Sequence, residues 1–334
     1  MPSFIGEEIM YYDINKTLSK QRLFNFVIGA RGVGKTYGSK KRCTENFLKA
    51  KKQFVYLRRY ETEMPAAEMR NFFDDIAEEF PGHEFSAHNG LFRIDGEIAG
   101  WYFPLSKAVM LKSIPFPNVS LIIFDEFIIE TGIYQYLPNE VRTFLECYST
   151  ISRDRDVTAI FLSNAITMTN PYFIYFNIAL EPGQTVKLLK HISVEVITNQ
   201  DFIEHMSNTR FGELVAGTEY GEYNIKNKFI LDTDSFLEDL PGGCMYMSTL
   251  IIGQRKIGSY IGIDPAKMYL SPKTDPSCKR IFALTQDTHD TNTILAQRQN
   301  PYIKQIVLTY CNGNLRFTTQ EVKNLMTPIL RRML

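Results

Sequence analysis

The sequence predicts an α/β protein in two parts, a mostly parallel sheet over residues 1–199 and a smaller α+β unit over 229–334. Three observations predict this. Leu23 to Thr36, LFNFVIGARGVGKT, reads as a buried strand, a glycine-rich loop and the start of a helix. Residues 119–127, VSLIIFDEF, read as a central strand, apolar on both faces, that ends in two carboxylates. Beyond residue 200 the pattern changes: 200–228 is a linker that begins with helical spacing, and short β-like runs and turns dominate from Phe229.

Residues 1–22 precede the first core strand. Their aromatic cluster Met10-Tyr11-Tyr12 suits either an adenine contact or packing over the sheet edge. Gly29, Gly34, Lys35 and Thr36 then satisfy the spacing G-x-x-x-x-G-K-[ST], with an extra glycine at Gly32. Glycines let backbone N–H groups close on a polyphosphate without a Cβ in the way. The following helix directs its free N-terminal donors at the same phosphates. In this pattern Lys35 reaches the β- and γ-phosphates of ATP, and the Thr36 hydroxyl ligates Mg²⁺.

The helix over 37–50 carries Lys40-Lys41-Arg42, which is open to two readings, DNA contact or a solvated face. Phe54 to Leu57 is a second strand, followed by Arg58-Arg59. Helical spacing with an acidic face predicts a helix over 66–80, stopped by Pro81-Gly82, and Asp95-Gly96 predicts a hairpin turn. His83 and His88 lack zinc spacing and read as surface residues. At the end of the 121–124 run, Asp125 sits at the edge where α/β sheets hold ligands, placed to bind water on Mg²⁺, and Glu126 is placed to polarise an attacking water.

A helix over 139–150 ends in Arg153-Asp154-Arg155-Asp156. Val157 to Leu162 is another buried strand, closed by Ser163-Asn164. Asn164 reads as a γ-phosphate sensor or as a turn residue. Tyr172 to Leu180 and His191 to Ile197 read as further strands, as do Met245 to Ile252, Ser259 to Ile263, Ile306 to Tyr310 and Leu315 to Thr318. A C-terminal helix runs from Thr319. Arg255-Lys256 and Lys279-Arg280 read as phosphate contacts or as solvated turn charges.

Composition narrows the class. The 334 residues are 44% hydrophobic, ample for a core, and 37 basic residues balance 37 acidic ones. Overall charge therefore gives no support to nucleic-acid binding, which must come from local asymmetry. Five scattered cysteines without C-x-x-C spacing imply reduced thiols. No apolar run approaches ~18 residues and the N-terminus is not a signal peptide, so a soluble intracellular protein without membrane contact is expected.

The order GARGVGKT, LIIFDE, SRDR, FLSNA and NPYF, strongest over 20–180, resembles the genome-packaging (encapsidation) ATPases of phi29-like bacteriophages. The resemblance implies a P-loop NTPase with an additional strand and a catalytic glutamate. It implies a homomeric ring, usually a pentamer, in the host cytoplasm, docked at the portal of an empty procapsid and driving double-stranded DNA inward. A structural packaging RNA can link such a ring to the capsid. The resemblance also implies an RNase-H-like C-terminal domain that has lost its nuclease activity. Among the Asp232, Asp234, Asp264, Asp287 and Asp290 carboxylates, none lies on the strand CMYMSTLII where a first metal ligand is expected. By position, Lys35 and Thr36, then Asp125 and Glu126, match the family's phosphate-loop and acidic residues. Arg153 matches its trans-acting arginine finger, with Arg155 two residues away. A helicase or conjugation-type DNA pump is the competing reading, separated by dependence on an empty capsid.

Overall fold

The computed structural model describes residues 12–129, 136–164, 170–178, 180, 184–197, 199–218 and 236–333. Two compact units emerge, Met1–Ile166 with Leu180–Lys228, and Thr167–Ala179 with Phe229–Leu334.

In the first unit, α1 (Ile14–Leu18) leads into β1 (Phe24–Gly29), α2 (Lys35–Ala50) and β2 (Gln53–Arg58). Then come α3 (Ala66–Arg70), β3 (Phe85–His88), β4 (Leu91–Ile94), β5 (Glu97–Pro104), β6 (Val119–Asp125), α4 (Glu140–Ser152) and β7 (Thr158–Asn164). The helix α5 (Pro171–Tyr175) belongs to the second unit. β8 (Val186–Leu188), β9 (Ile192–Ile197), α6 (Gln200–Ser207) and α7 (Arg210–Val215) complete the first.

The nine strands lie in the order β3-β4-β5-β2-β6-β7-β1-β9-β8. The six from β5 to β9 pair in parallel, and β3, β4 and β8 add antiparallel edges. β7 lies between β1 and β6, so an additional strand separates the phosphate-loop strand from the strand ending in Asp125. Both faces are covered, which explains the continuous apolar runs. On one face Cys43 and Phe47 of α2 pack with Val27, Ile123, Ile160 and Leu162. On the other, Phe144 of α4 meets Phe24, Phe124 and Phe161 with ring centroids 5.8, 5.9 and 4.7 Å away.

Some expectations need correction. The 66–80 helix is only α3 followed by turns, in which Phe72, Phe73 and Ile76 are buried. Its acidic residues hold the basic run of α2: Lys40 pairs with Asp75 at 3.1 Å and Lys41 pairs with Glu79. The Asp95-Gly96 turn forms as expected, with φ of 52° and 78°, the left-handed pair that a tight hairpin requires.

The second unit contains β10 (Met245–Ile252), β11 (Arg255–Ile261), β12 (Met268–Ser271), β13 (Ile281–Ala283), β14 (Ile294–Leu295), α8 (Pro301–Cys311), β15 (Leu315–Phe317) and α9 (Gln320–Arg332). Its sheet order is β14-β13-β10-β11-β12-β15. Ile303, Ile306 and Val307 of α8, with Val322, Leu325 and Met326 of α9, pack on Met247, Leu250 and Leu270. Among the described residues the runs Tyr172 to Leu180 and Ile306 to Tyr310, expected as strands, form none; each lies wholly or partly in a helix. Both helices begin with Asn-Pro: Asn170 caps Phe173 N, Asn300 caps Tyr302 N, and each proline occupies the first turn, where its missing N–H costs nothing. Asp232 and Asp234 lie outside the described residues. No group of three or more His, Cys, Asp or Glu among the described residues could hold a metal.

Candidate nucleotide site at the sheet edge

A cleft of about 330 Å³ opens at the C-terminal edge of the parallel strands, lined by Arg31, Gly32, Gly34, Lys35, Thr36, Tyr37, Asp125, Glu126, Ser163 and Asn164. It is where strand topology places ligands in open α/β sheets. Gly32 and Gly34 have φ of 86° and 85°, and Gly34 ends the loop as the left-handed N-cap of α2, with no side chain capping the helix. A Cβ on Gly32 would stand 3.0 Å from the Phe202 ring. Gly29 does not line the cleft. It is glycine because β9 approaches closely: a Cβ there would meet Ile197 at 3.1 Å.

Lys35 is buried, and its Nζ donates to the carbonyls of Gly29 (2.9 Å) and Ala30 (2.6 Å) and approaches Asn164 Oδ1 at 3.4 Å. Asn164, the last residue of β7, therefore faces the phosphate-loop lysine. The Thr36 hydroxyl donates to Asp125 Oδ2 at 3.0 Å. Tyr56 OH donates to the same oxygen at 2.9 Å, and burial first, then Asp125, pushes the Tyr56 phenol well above its ordinary pKa. Thr36 and Asp125 thus present hard oxygens within one cation's reach, the donor chemistry that suits Mg²⁺.

Glu126 has φ of 56°, a left-handed turn that swings it off the strand. Arg58 Nη2 holds its carboxylate at 2.9 Å, and Arg58 Nη1 lies 3.8 Å from Asp125. Burial opposes the Arg58 charge, but Tyr56, Asp125 and Glu126 together raise its pKa. Sequence reasoning gave no role to Arg58, Tyr56, Arg31 or Ser163. The available signal was a polar pair at the end of β2, the strand beside the one carrying Asp125.

Arg153 is exposed and, among the described residues, makes no contact that links it to this cleft; it follows α4 at φ 52°. Arg155 is spent locally, donating to the carbonyls of Phe116, Pro117, Val119 and Ile151. The Arg–Asp alternation forms no ion pairs among the described residues. A second cleft, of about 380 Å³, shares Tyr37 with the first and is also lined by Tyr12, Ile14, Gly38 and Lys41. Tyr12 N donates to Val33 O at 2.9 Å; Met10 and Tyr11 lie outside the described residues.

Residues 7–334 match the family described as Podovirus DNA encapsidation protein (Gp16). The DNA packaging protein of Bacillus phage phi29 is 37% identical over 330 residues, covering 98% of this chain and 99% of that one. Among solved structures, the phi29 viral genome packaging motor assembly aligns at TM-score 0.79 and 37% identity, over 97% and 99% of the two chains. The N-terminal domain of the phi29 DNA packaging ATPase aligns at TM-score 0.55 and 43% identity over 57% of this chain and 98% of that one. Matched over almost its whole length, the chain belongs to the podovirus Gp16 family of DNA encapsidation proteins, the packaging ATPases of phi29-like phages.

Proposed function

We propose that this chain hydrolyses Mg²⁺·ATP at the β-sheet edge to drive double-stranded phage DNA into an empty procapsid. The observation that carries the reading is the convergence of Lys35, Thr36, Asp125, Glu126 and Asn164 on one cleft. Lys35, now satisfied by two loop carbonyls, supplies the mobile cation for the β- and γ-phosphates. The main-chain donors of the loop and of the α2 N-terminus bind the same groups. Thr36 and Asp125 would hold Mg²⁺, which supplies charge neutralisation between the phosphates when bound. Glu126 orients and polarises the attacking water, and Arg58 sets where its carboxylate points. Asn164 reports on the γ-phosphate from the end of β7. The second cleft, walled by Tyr12 and Tyr37, suits the base and ribose.

Arg153 acts in a neighbouring subunit's cleft. Its exposure, with no side-chain hydrogen bond or ion pair among the described residues, supports this, since a finger must be free to leave its own subunit. Such donation requires a head-to-tail ring, here a pentamer on the portal, with a packaging RNA as a further partner. The domains divide as 1–199 for ATP hydrolysis, 200–228 as linker and 229–334 as a vestigial RNase-H-like unit that contacts nucleic acid or capsid. The strand Met245–Ile252, which carries no carboxylate where a first metal ligand is expected, supports the loss of cleavage.

The test is protection of phage DNA from added nuclease by procapsids and this protein. Protection should require both ATP and the empty capsid. Unwinding or translocation without any capsid dependence would favour a helicase instead.

A further inference from the structure

Arg58 ends β2 and Arg59 follows it, yet only Arg58 pairs with the Asp125 and Glu126 carboxylates that line the cleft. Arg59 is 1% exposed, the largest buried polar side chain described. Its Nε donates to Glu140 Oε2 at 2.7 Å and its Nη2 to Glu140 Oε1 at 3.0 Å, a two-pronged ion pair with a residue 2% exposed. The rest of the fork reaches main chain: Nη1 donates to Glu126 O at 3.2 Å and Nη2 to Phe127 O at 2.7 Å. The guanidinium also lies 4.9 Å from the Tyr136 ring centroid. Glu140 in turn accepts from Leu137 N at 2.9 Å and is the first residue of α4, whose C-cap is Arg153.

Net stability does not account for this arrangement. A buried ion pair recovers little beyond its desolvation cost, and apolar residues of similar volume often serve as well or better. What apolar residues cannot supply is two directed donors to the carbonyls of consecutive residues. Those carbonyls belong to Glu126 and Phe127, where the chain adopts the left-handed turn at φ 56°. A non-glycine residue in that conformation is strained and is held there by its surroundings.

We propose that Arg59 is a positioning residue for ATP hydrolysis: bonded to the carbonyls of Glu126 and Phe127, it fixes the left-handed turn that presents the Glu126 carboxylate, and through Glu140 it ties that turn to the helix that precedes Arg153. The two arginines divide the work. Arg58 holds the Glu126 side chain, which is half exposed. Arg59, itself buried, holds the Glu126 main chain at its carbonyl. The inference rests on the reading of Glu126 as the residue that activates water.

The experiment compares full-length Arg59→Lys with the unmodified chain for ATP turnover and nucleotide affinity. Lysine keeps the cation opposite Glu140 but cannot reach both carbonyls and both carboxylate oxygens. Turnover at saturating ATP should fall about 10- to 100-fold, as misplacement by an ångström does, with nucleotide affinity within about threefold. In the Glu126→Gln background the same change should cost nothing further, because it acts through that carboxylate. A second variant, Arg59→Met with Glu140→Leu, removes the donors while replacing the ion pair by apolar volume, and should give the same kinetic pattern. Parent turnover in Arg59→Lys, with Glu126→Gln inactive, overturns the inference alone. Parent turnover in Glu126→Gln overturns the reading beneath it. Loss of nucleotide binding in both Arg59 variants makes the pair a folding requirement and overturns the proposal as well.

Discussion

Replacing Arg153 and Arg155 by alanine, one at a time, should separate a rate defect from a stability defect. Arg155 donates four charge-assisted hydrogen bonds to the carbonyls of Phe116, Pro117, Val119 and Ile151, and it is partly exposed. At roughly 0.5–1 kcal/mol each after discounting for solvent, their loss costs about 2–4 kcal/mol. That lowers Tm by about 5–10 °C for a unit of this size. Arg153 is exposed, so Arg153→Ala should change stability by no more than about 0.5 kcal/mol. If Arg153 enters the neighbour's cleft, its loss should slow hydrolysis by about 10³–10⁵, equivalent to roughly 4–7 kcal/mol of transition-state stabilisation. The assay pairs thermal melting and nucleotide affinity with steady-state turnover, then mixes Arg153→Ala with Glu126→Gln. In a randomly mixed head-to-tail ring at equal amounts, about a quarter of interfaces join an intact Glu126 to an intact Arg153, so turnover should recover to that order. Parent-level turnover in Arg153→Ala, or no recovery at any ratio with assembly verified, would refute the reasoning. So would an Arg155→Ala chain that melts normally yet fails to hydrolyse.

Further outcomes follow from other contacts. Arg58→Ala should keep nucleotide affinity but lower turnover by about 10- to 100-fold, because the Glu126 carboxylate loses its guide; steady-state kinetics check this. Glu238 accepts from Tyr269 OH at 2.7 Å and pairs with Lys267 and Arg316, contacts that hold its carboxyl below the ordinary range. Since its folded pKa is depressed, this stabilisation is complete above the unfolded carboxyl value of about 4.5 and is lost as pH falls through the folded value. The C-terminal unit of Glu238→Gln should therefore lose less Tm than the parent between pH 6 and about 3, as followed by circular dichroism. Mn²⁺ should produce no nicking of plasmid DNA by the full chain beyond that of a chain changed at Asp264, Asp287 and Asp290; nicking lost on those changes would show a surviving nuclease.

Much of the cleft was legible in the sequence because its signals are local. The loop from Gly29 to Thr36 and the Asp125-Glu126 pair each declare themselves within ten residues, and a strand end is where such groups converge. The antiparallel hairpin was legible from Asp95-Gly96. What stayed hidden depends on partners distant in the chain. Arg59 and Glu140 are 81 residues apart, and nothing near either shows that both are buried. The bond from Arg58 to Glu126 spans a similar gap. The two runs read as strands were misjudged for another reason. Tyr172 to Leu180 and Ile306 to Tyr310 are rich in aromatic and β-branched residues, but the Asn-Pro pairs just before them cap helices, and the cap decided the outcome. The resemblance points to Arg153 over Arg155, and nothing local in the sequence shows that Arg155 binds four carbonyls.

The most direct measurement of the central claim is nucleotide binding and hydrolysis by Glu126→Gln, beside Lys35→Ala as the control for the loop. Glutamine keeps the shape of the residue and a hydrogen bond to Arg58 but cannot draw a proton from water as a carboxylate does. The account predicts that Glu126→Gln binds ATP as tightly as the parent, fails to turn it over and leaves phage DNA open to nuclease, whereas Lys35→Ala loses binding as well. Parent-rate hydrolysis by the Glu126→Gln chain would contradict it.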